Sequence, residues 1–456
     1  MKLRPRKRLC LSKEDRDRLS ELPDTVIVRI LSYMPIIDAV RTVLLRRFGN
    51  LWTLVDTLKF DEDTYDYKDH DCNEIKRVDW YCCFVRNVLM LHQNPSIHTF
   101  HLCIEFDEVM IRSKDDLRGW LRFPLDRQAK NIKLSDTSYH AATYHCNSIF
   151  PNLESQFLVT LNLDSCKLDG ELQVNLGSLN KLSLCRVGIS VENFQRFISG
   201  CPSLQELVLV NPYWTTNISF SAPNIAKFSL FLTYDYQGGF AISLNCPNLT
   251  SLYLDLDLGE LNIVDVSSVR DIYIKHFFEN MHLSDDGELL AIIQMFGKLE
   301  SIEVFQLSND ASKPFLQTIQ DVQLLRHGWK HIVLDLRELS DSCLLGIYHL
   351  MRSLKHLEEL TIYTTEDFRA DTDLLRLELP SPYVTPQLKT ISLHGYGKSW
   401  RSQLQLIEFL LKSAPALDKL VIVPIQCRLK EAEELEFVKN VSNFPRASPS
   451  ARVTFV

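Results

Sequence analysis

The sequence predicts an α/β fold: a small N-terminal unit of three helices, then an irregular solenoid with a parallel sheet on its concave side, closed by a C-terminal unit that continues the repeats. Three observations carry that prediction. An eight-residue apolar template recurs along most of the chain, several stretches between its copies have helical periodicity, and residues 17–60 hold short helical segments with too little chain to bury them alone.

The template is x-x-Φ-x-x-Φ-x-Φ, with Φ apolar. Its clearest copies are PSIHTFHL from Pro95, PSLQELVL from Pro202, PNIAKFSL from Pro223, PNLTSLYL from Pro247, PQLKTISL from Pro386 and PALDKLVI from Pro415. Others begin at Gln156, Gly177, Ser267, Gly297, His327 and Lys355, with a weaker one at Arg127. Successive starts fall 20 to 32 residues apart, the period of leucine-rich repeats with one strand each. In Φ-x-Φ the two apolar side chains share one face of a strand and the earlier Φ fills the turn before it. Each unit therefore has an apolar edge that only its neighbour covers. The outer layer is helical where apolar residues recur at three and four: Val191, Phe194, Phe197 and Ile198; Leu289, Leu290, Ile293 and Phe296; Leu344, Leu345, Tyr348 and Met351; Leu406, Phe409 and Leu410.

The N-terminal unit reads DRLSELPDTVIVRILSYMPIIDAVRTVLLRRFGNLWTLVDTLKF over residues 17–60. Leu22 and Pro23 precede a helix with Asp24 as its expected N-cap and Val26, Val28, Ile30, Leu31 and Met34 as its apolar positions. That helix is expected to end at Pro35, a second to run from about Asp38 to Leu44, and a third to cover Leu51, Trp52 and Val55. The segments LPDTVIVRILSYM, DAVRT and NLW resemble the F-box, by which substrate receptors of Skp-Cullin-F-box ubiquitin ligases attach to their Skp adaptor. The usual plant pattern has Thr-Lys where Ile36-Ile37 stand and Trp where Phe48 stands, and is one residue longer between Arg41 and Trp52. On this resemblance the adaptor-binding residues are Leu22, Pro23, Ile30, Leu31 and Met34.

The chain ends with PQLKTISLHGYGKSW, IEFLLKSAPALDKLVI and FPRASPSARVTFV, which resemble the FBD domain that closes many plant F-box proteins with leucine-rich repeats. Residues 451–456 alternate well enough to form a last strand over the open end of the repeats. The domains expected are a basic tail at 1–14, an F-box at 15–60, leucine-rich repeats at 61–380 and an FBD-like unit at 381–456 that continues the repeats.

Composition excludes several function classes. Of 456 residues, 45% are hydrophobic and 24% charged, ordinary for a soluble protein with a large core. A net charge of -8 disfavours nucleic acid as a partner of the body, and no apolar run approaches a membrane span. Twelve scattered cysteines without a C-x-x-C pair indicate neither zinc nor a disulfide framework. The basic run from Lys2 to Arg8 suits nuclear import or a solvated tail, so nucleus, cytoplasm or both are expected. Gly395-Tyr396-Gly397-Lys398-Ser399 sits between a strand and a helix, as a phosphate-binding loop does, but Ser392 stands where the first glycine is required. His98 with His101, and His327 with His331, lack a third metal ligand, so no cofactor and no metal are expected.

The function implied by the resemblance is substrate recognition for a ubiquitin ligase, with the Skp adaptor and through it a cullin as partners, an unknown protein as target, and no catalysis on this chain. The alternative is an interaction scaffold whose altered F-box joins no ligase. Strand alternation places Phe231, Tyr253, Tyr273, Phe305 and Tyr363, with Asp255, Lys275, Glu303 and Asp335, on the concave face, and the five aromatics are the expected target-binding residues.

Overall fold

The computed structural model describes residues 21–45, 47–61, 74–104, 119–136, 152–168, 172–212, 218–232, 242–255, 261–265, 268–275, 302–308, 312, 315–316, 329–336, 341–364, 385–396, 400–424 and 431–456. The chain divides into two compact units, residues 1–204 and 205–456.

The first unit opens with α1 (Asp24–Leu31) and α2 (Ile36–Arg41). Pro23 and Pro35 occupy the N-cap positions, so Asp24 is the first helical residue rather than the cap. Its carboxylate still lies at the positive end of the helix dipole and pairs with Arg47 at 2.6 Å. α1 stops at Leu31, four residues before Pro35, where the bonding tightens to the 3₁₀ type, Tyr33 N–H donating to Ile30 O and Met34 N–H to Leu31 O, each at 3.1 Å. The expected third helix is a single 3₁₀ turn, Leu51–Leu54, with Trp52 buried beneath it. Strand β1 (Thr57–Asp61) follows directly. Its sequence completes a copy of the repeat template, TLVDTLKF from Thr53, lying inside the stretch assigned to the F-box.

Four more parallel strands complete this unit's main sheet: β2 (Thr99–Ile104), β3 (Asn131–Asp136), β4 (Thr160–Asp164) and β5 (Lys181–Cys185). Leu58, Phe100, Ile132, Leu161 and Leu182 stand in register across them, as do Phe60, Leu102, Leu134, Leu163 and Leu184. Both rows are buried, so the Φ-x-Φ alternation becomes two continuous apolar ribs. Helix α3 (Glu74–Leu91) packs Tyr81, Cys82, Val85, Val88 and Leu89 inward, and α4 (Val191–Ser199) packs Phe194, Phe197 and Ile198. Ser190 caps α4 by accepting a hydrogen bond from Asn193 N–H at 3.2 Å. Ser165 and Arg186 follow β4 and β5 with φ of 55° and 49°, turning the chain out of the sheet. The guanidinium of Arg186 then holds Asp164 at 2.8 Å.

The second unit repeats the plan with ten parallel strands: β6 (Glu206–Val210), β7 (Lys227–Phe231), β8 (Ser251–Asp255), β9 (Asp271–Lys275), β10 (Val304–Leu307), β11 (His331–Leu336), β12 (Glu359–Thr364), β13 (Thr390–Tyr396), β14 (Lys419–Pro424) and β15 (Arg452–Phe455). A smaller parallel sheet of Ile218–Ser221, Ile242–Asn245 and Leu261–Asp265 lines the outer side where the repeats are too short for a helix. Longer repeats carry α5 (Asp341–Ser353) and α6 (Trp400–Ser413), with Leu344, Tyr348, Met351, Leu406, Phe409 and Leu410 buried as their periodicity predicts and Leu345 half-buried. The predicted helix around Leu289–Phe296 lies outside the described residues. α7 (Glu431–Asn443) and β15 close the chain, Phe437 meeting Phe455 edge to face. Arg270, Glu303, Lys330, Glu358, Lys389 and Asp418, each just before its strand, alternate in charge from repeat to repeat. Glu303 pairs with Lys330 at 3.4 Å and Glu358 with Lys389 at 2.8 Å. Pairs this exposed favour the register and contribute little energy.

Candidate functional site

Two surfaces stand apart from the ordinary exterior. The first is on the helical unit at residues 22–54. Ile27 and Leu31, four apart on α1, point together into the small core with Trp52, Ile36, Ile37 and Ala39. Leu31 is 2% exposed, which corrects the expectation that it lies on an uncovered patch with Ile30 and Met34. Once α1 packs on the 3₁₀ turn, only one side of the helix is left outward. Pro23 is exposed, Leu22 and Met34 are half-buried, and Ile30 is 40% exposed. Ile36 and Ile37, which replace Thr-Lys of the plant pattern, are buried, so that change leaves the outer surface untouched. Gly49 takes a φ of 41° in open space and gives the shortened segment its turn.

Sequence reasoning missed the most exposed part of this surface. Val43, Leu44 and Leu45 follow α2 and are 46%, 86% and 53% exposed, and Val26, Tyr33 and Leu54 are also open to solvent. With Ile30 they place seven exposed large apolar side chains within residues 26–54. The available signal was Val-Leu-Leu in succession, because no helix face holds three consecutive residues.

The second surface is the outward face of the second unit's sheet. Phe231 lies tilted against Tyr253 at 4.6 Å and Tyr253 stacks on Tyr273 at 4.3 Å, a ladder of three half-exposed rings on β7, β8 and β9. Parallel pairing sets Tyr253 directly beside Tyr273. Burial, and after it the neighbouring Tyr273 hydroxyl with which it shares a hydrogen bond, push the Tyr253 phenol above its ordinary range, so it remains a neutral hydrogen-bonding group. Lys275 pairs with Asp255 at 3.0 Å beside the ladder.

Phe305 is not on this surface. Read from Gly297, the repeat GKLESIEV sets Ile302 and Val304 inward on the strand and leaves Phe305 outward. The observed pairing sets Phe305 beside Ile272 and Ile332, and Leu307 beside Ile274 and Leu334. The inward pair is therefore Phe305 and Leu307, three residues further on, and an odd shift reverses every side chain. Phe305 is fully buried, stacked on Trp329 at 4.4 Å and tilted against Phe315 at 5.5 Å. Gln306 takes the outward place in register with Tyr273 and Val333. Glu303, grouped with the outward residues, precedes the strand. Tyr363, 41% exposed, is separated from the ladder by β10 and β11 and stacks on His394 at 4.5 Å. The five aromatics thus divide into a ladder of three, a separate Tyr363–His394 pair and a core residue.

The same face of the first unit is polar, with Lys59, His101, Lys133, Asn162 and Ser183 in register. Burial, and then the Lys133 and Lys59 charges, hold the His101 imidazole below its ordinary pKa despite Asp61. Among the described residues no group of three or more His, Cys, Asp or Glu side chains is arranged to hold a metal, and no helix is long and apolar enough to cross a membrane. Gly395 belongs to packing: its φ is 96° and a Cβ would meet the Thr364 carbonyl. Residues 397–399 of the phosphate-loop candidate lie outside the described residues, as does His327.

Repeating parallel strands behind a helical module with an exposed apolar surface define a leucine-rich-repeat protein with an N-terminal docking element. The profile described as At1g61320/AtMIF1, LRR domain, matches residues 88–434. Three Arabidopsis thaliana proteins are similar over nearly the whole chain. The F-box/FBD/LRR-repeat protein At1g13570 is 25% identical, covering 97% of this chain and 99% of its own length. The F-box/LRR-repeat protein At3g59200 is 24% identical over 97% of this chain and 88% of its own length. The F-box/FBD/LRR-repeat protein At2g26030 is 23% identical over 96% and 99%. The chain belongs to the F-box/FBD/LRR-repeat family, whose members are typically non-enzymatic interaction proteins, and it has a protein-interaction role typical of F-box proteins.

Proposed function

We propose that this chain is the substrate-recognition subunit of a Skp-Cullin-F-box ubiquitin ligase, acting in the nucleus, the cytoplasm or both. Residues 15–60 hold the adaptor, and the repeats at 61–380, continued by the FBD-like unit at 381–456, hold the target. The observation that carries this reading is the set of large apolar side chains left exposed on the helical module, Val43, Leu44 and Leu45 with Ile30, Tyr33 and Leu54, over a core that is already closed. Leu22, Pro23 and Met34 belong to the same module. The outward face of the second unit supplies the target site through Phe231, Tyr253 and Tyr273, because stacked aromatics offer large contact area with few torsions to immobilise. The mechanism is proximity: a target lysine is held beside a charged conjugating enzyme, which needs no acid or base on this chain.

The test is adaptor binding by the full-length chain. Leu44→Ser with Leu45→Ser is expected to weaken affinity for a purified Skp-type adaptor at least tenfold, since burying each leucine contributes about 1.5–3 kcal/mol. Both side chains are exposed, so melting should stay close to wild type. Unchanged affinity in the double variant sinks the docking surface. A wild-type chain that retains no adaptor favours the interaction scaffold.

A further inference from the structure

The apolar surface of the F-box does not stop at Leu54. Three backbone carbonyls of that turn are held by the end of α3: Gln93 N–H donates to Thr53 O at 2.8 Å, the Asn94 amide to Leu54 O at 2.9 Å, and the His92 ring to Val55 O at 2.8 Å. The α3 turn just before these contacts carries Met90 and Leu91, 76% and 57% exposed. Helical spacing continues the face through Asn87 and Cys83 to Trp80, each also exposed. The opposite side of α3 already meets the core through Val85, Val88 and Leu89, and Trp80 stacks on Phe84, so Met90 and Leu91 are the outward apolar residues that core packing does not explain.

Resting on the proposed adaptor docking, we propose that the adaptor contact extends beyond the F-box onto the last turns of α3, with Leu54, Met90 and Leu91 as the added contact residues. The bonds from residues 92–94 to 53–55 fix this turn against the module, so a partner seated on the helical unit that reaches Leu54 meets Met90 and Leu91 on the first repeat. The geometric consequence is that the adaptor sets the orientation of the first repeat as well as that of the helical unit. Two attachment points limit the swing of a target around the ligase more than one does.

The experiment uses the full-length chain and a purified Skp-type adaptor. Met90→Ser with Leu91→Ser is expected to reduce affinity about tenfold, chiefly through faster dissociation, with melting unchanged. Hydrogen exchange on the wild-type complex should show adaptor-dependent protection at residues 86–94 as well as 43–45. If Leu44→Ser with Leu45→Ser loses the adaptor while the α3 variant binds as wild type and residues 86–94 gain no protection, the extension is overturned and F-box docking stands. If the wild-type chain binds no adaptor, both fail together.

Discussion

Phe305→Ala lowers the stability of the second unit by about 3–5 kcal/mol, the usual cost of emptying a buried phenylalanine site. The ring lies between Trp329 and Phe315, and its strand pairs with β9 and β11 on either side. The ladder hydrogen bonds hold strand spacing near 4.8 Å, so neighbouring repeats cannot close over the cavity. Because each repeat is stable only against its neighbours, the damage is expected to spread through the unit as earlier, broader unfolding. At about 2–4 °C per kcal/mol for a unit of this size, the melting midpoint should fall by roughly ten degrees. Gln306→Ala, one residue along and outward, is the control, with a change expected below about 1 kcal/mol. Equal melting of the two variants would show that Phe305 does not occupy the inward register.

Tyr253→Ala with Tyr273→Ala has the opposite signature. Removing the stacked pair is expected to weaken target capture about a hundredfold or more, because central aromatic anchors each contribute on the order of 2 kcal/mol or more to an interface. The two rings are half-exposed, and their stacking is worth only about 0.5–1.5 kcal/mol to the fold. Melting and adaptor affinity should therefore stay near wild type. The measurement compares the double variant and wild type for retention of the protein that co-purifies with the wild-type repeats. Undiminished retention sinks the ladder as a target site, and a fall in melting as large as that of Phe305→Ala would make these side chains structural. Tyr363→Ala reports separately on the second aromatic pair, since β10 and β11 lie between the two groups.

The contrast between Phe305 and Tyr253 marks how far local pattern reaches. Leu252 and Leu254 leave Tyr253 a single outward position, and the register bears out that alternation within each unit, from β2 to β5 and from β6 to β14, except at β10. In the segment Ile302-Glu303-Val304-Phe305-Gln306-Leu307 two Φ-x-Φ frames stand one after the other, so alternation alone does not choose between them. The choice came from residues far along the chain: Trp329, from the next repeat, offers the Phe305 ring a stacking partner and a dry site.

The helical unit divides in the same way. Its first two helices were legible, because breakers act within a few residues, but their entries were displaced: Pro23, not Asp24, holds the first N-cap position, and Pro35, expected as a helix end, opens the second helix. Leu31 and Ile30 are equally apolar neighbours, and only the packing of α1 on the 3₁₀ turn sent Leu31 inward and left Ile30 out. Val43, Leu44 and Leu45 became a surface for the same reason: the core of this unit is filled by Ile27, Leu31, Ile36, Ile37 and Trp52 before they reach it. By itself the sequence determined the repeat period, the parallel strand order, the three outer helices α4, α5 and α6, and the family, all set by interactions within one repeat or by its regular recurrence. Tertiary structure alone decided which apolar residues were left outside, because burial depends on which neighbour arrives to cover a face, and that neighbour lies one repeat or more away in the chain.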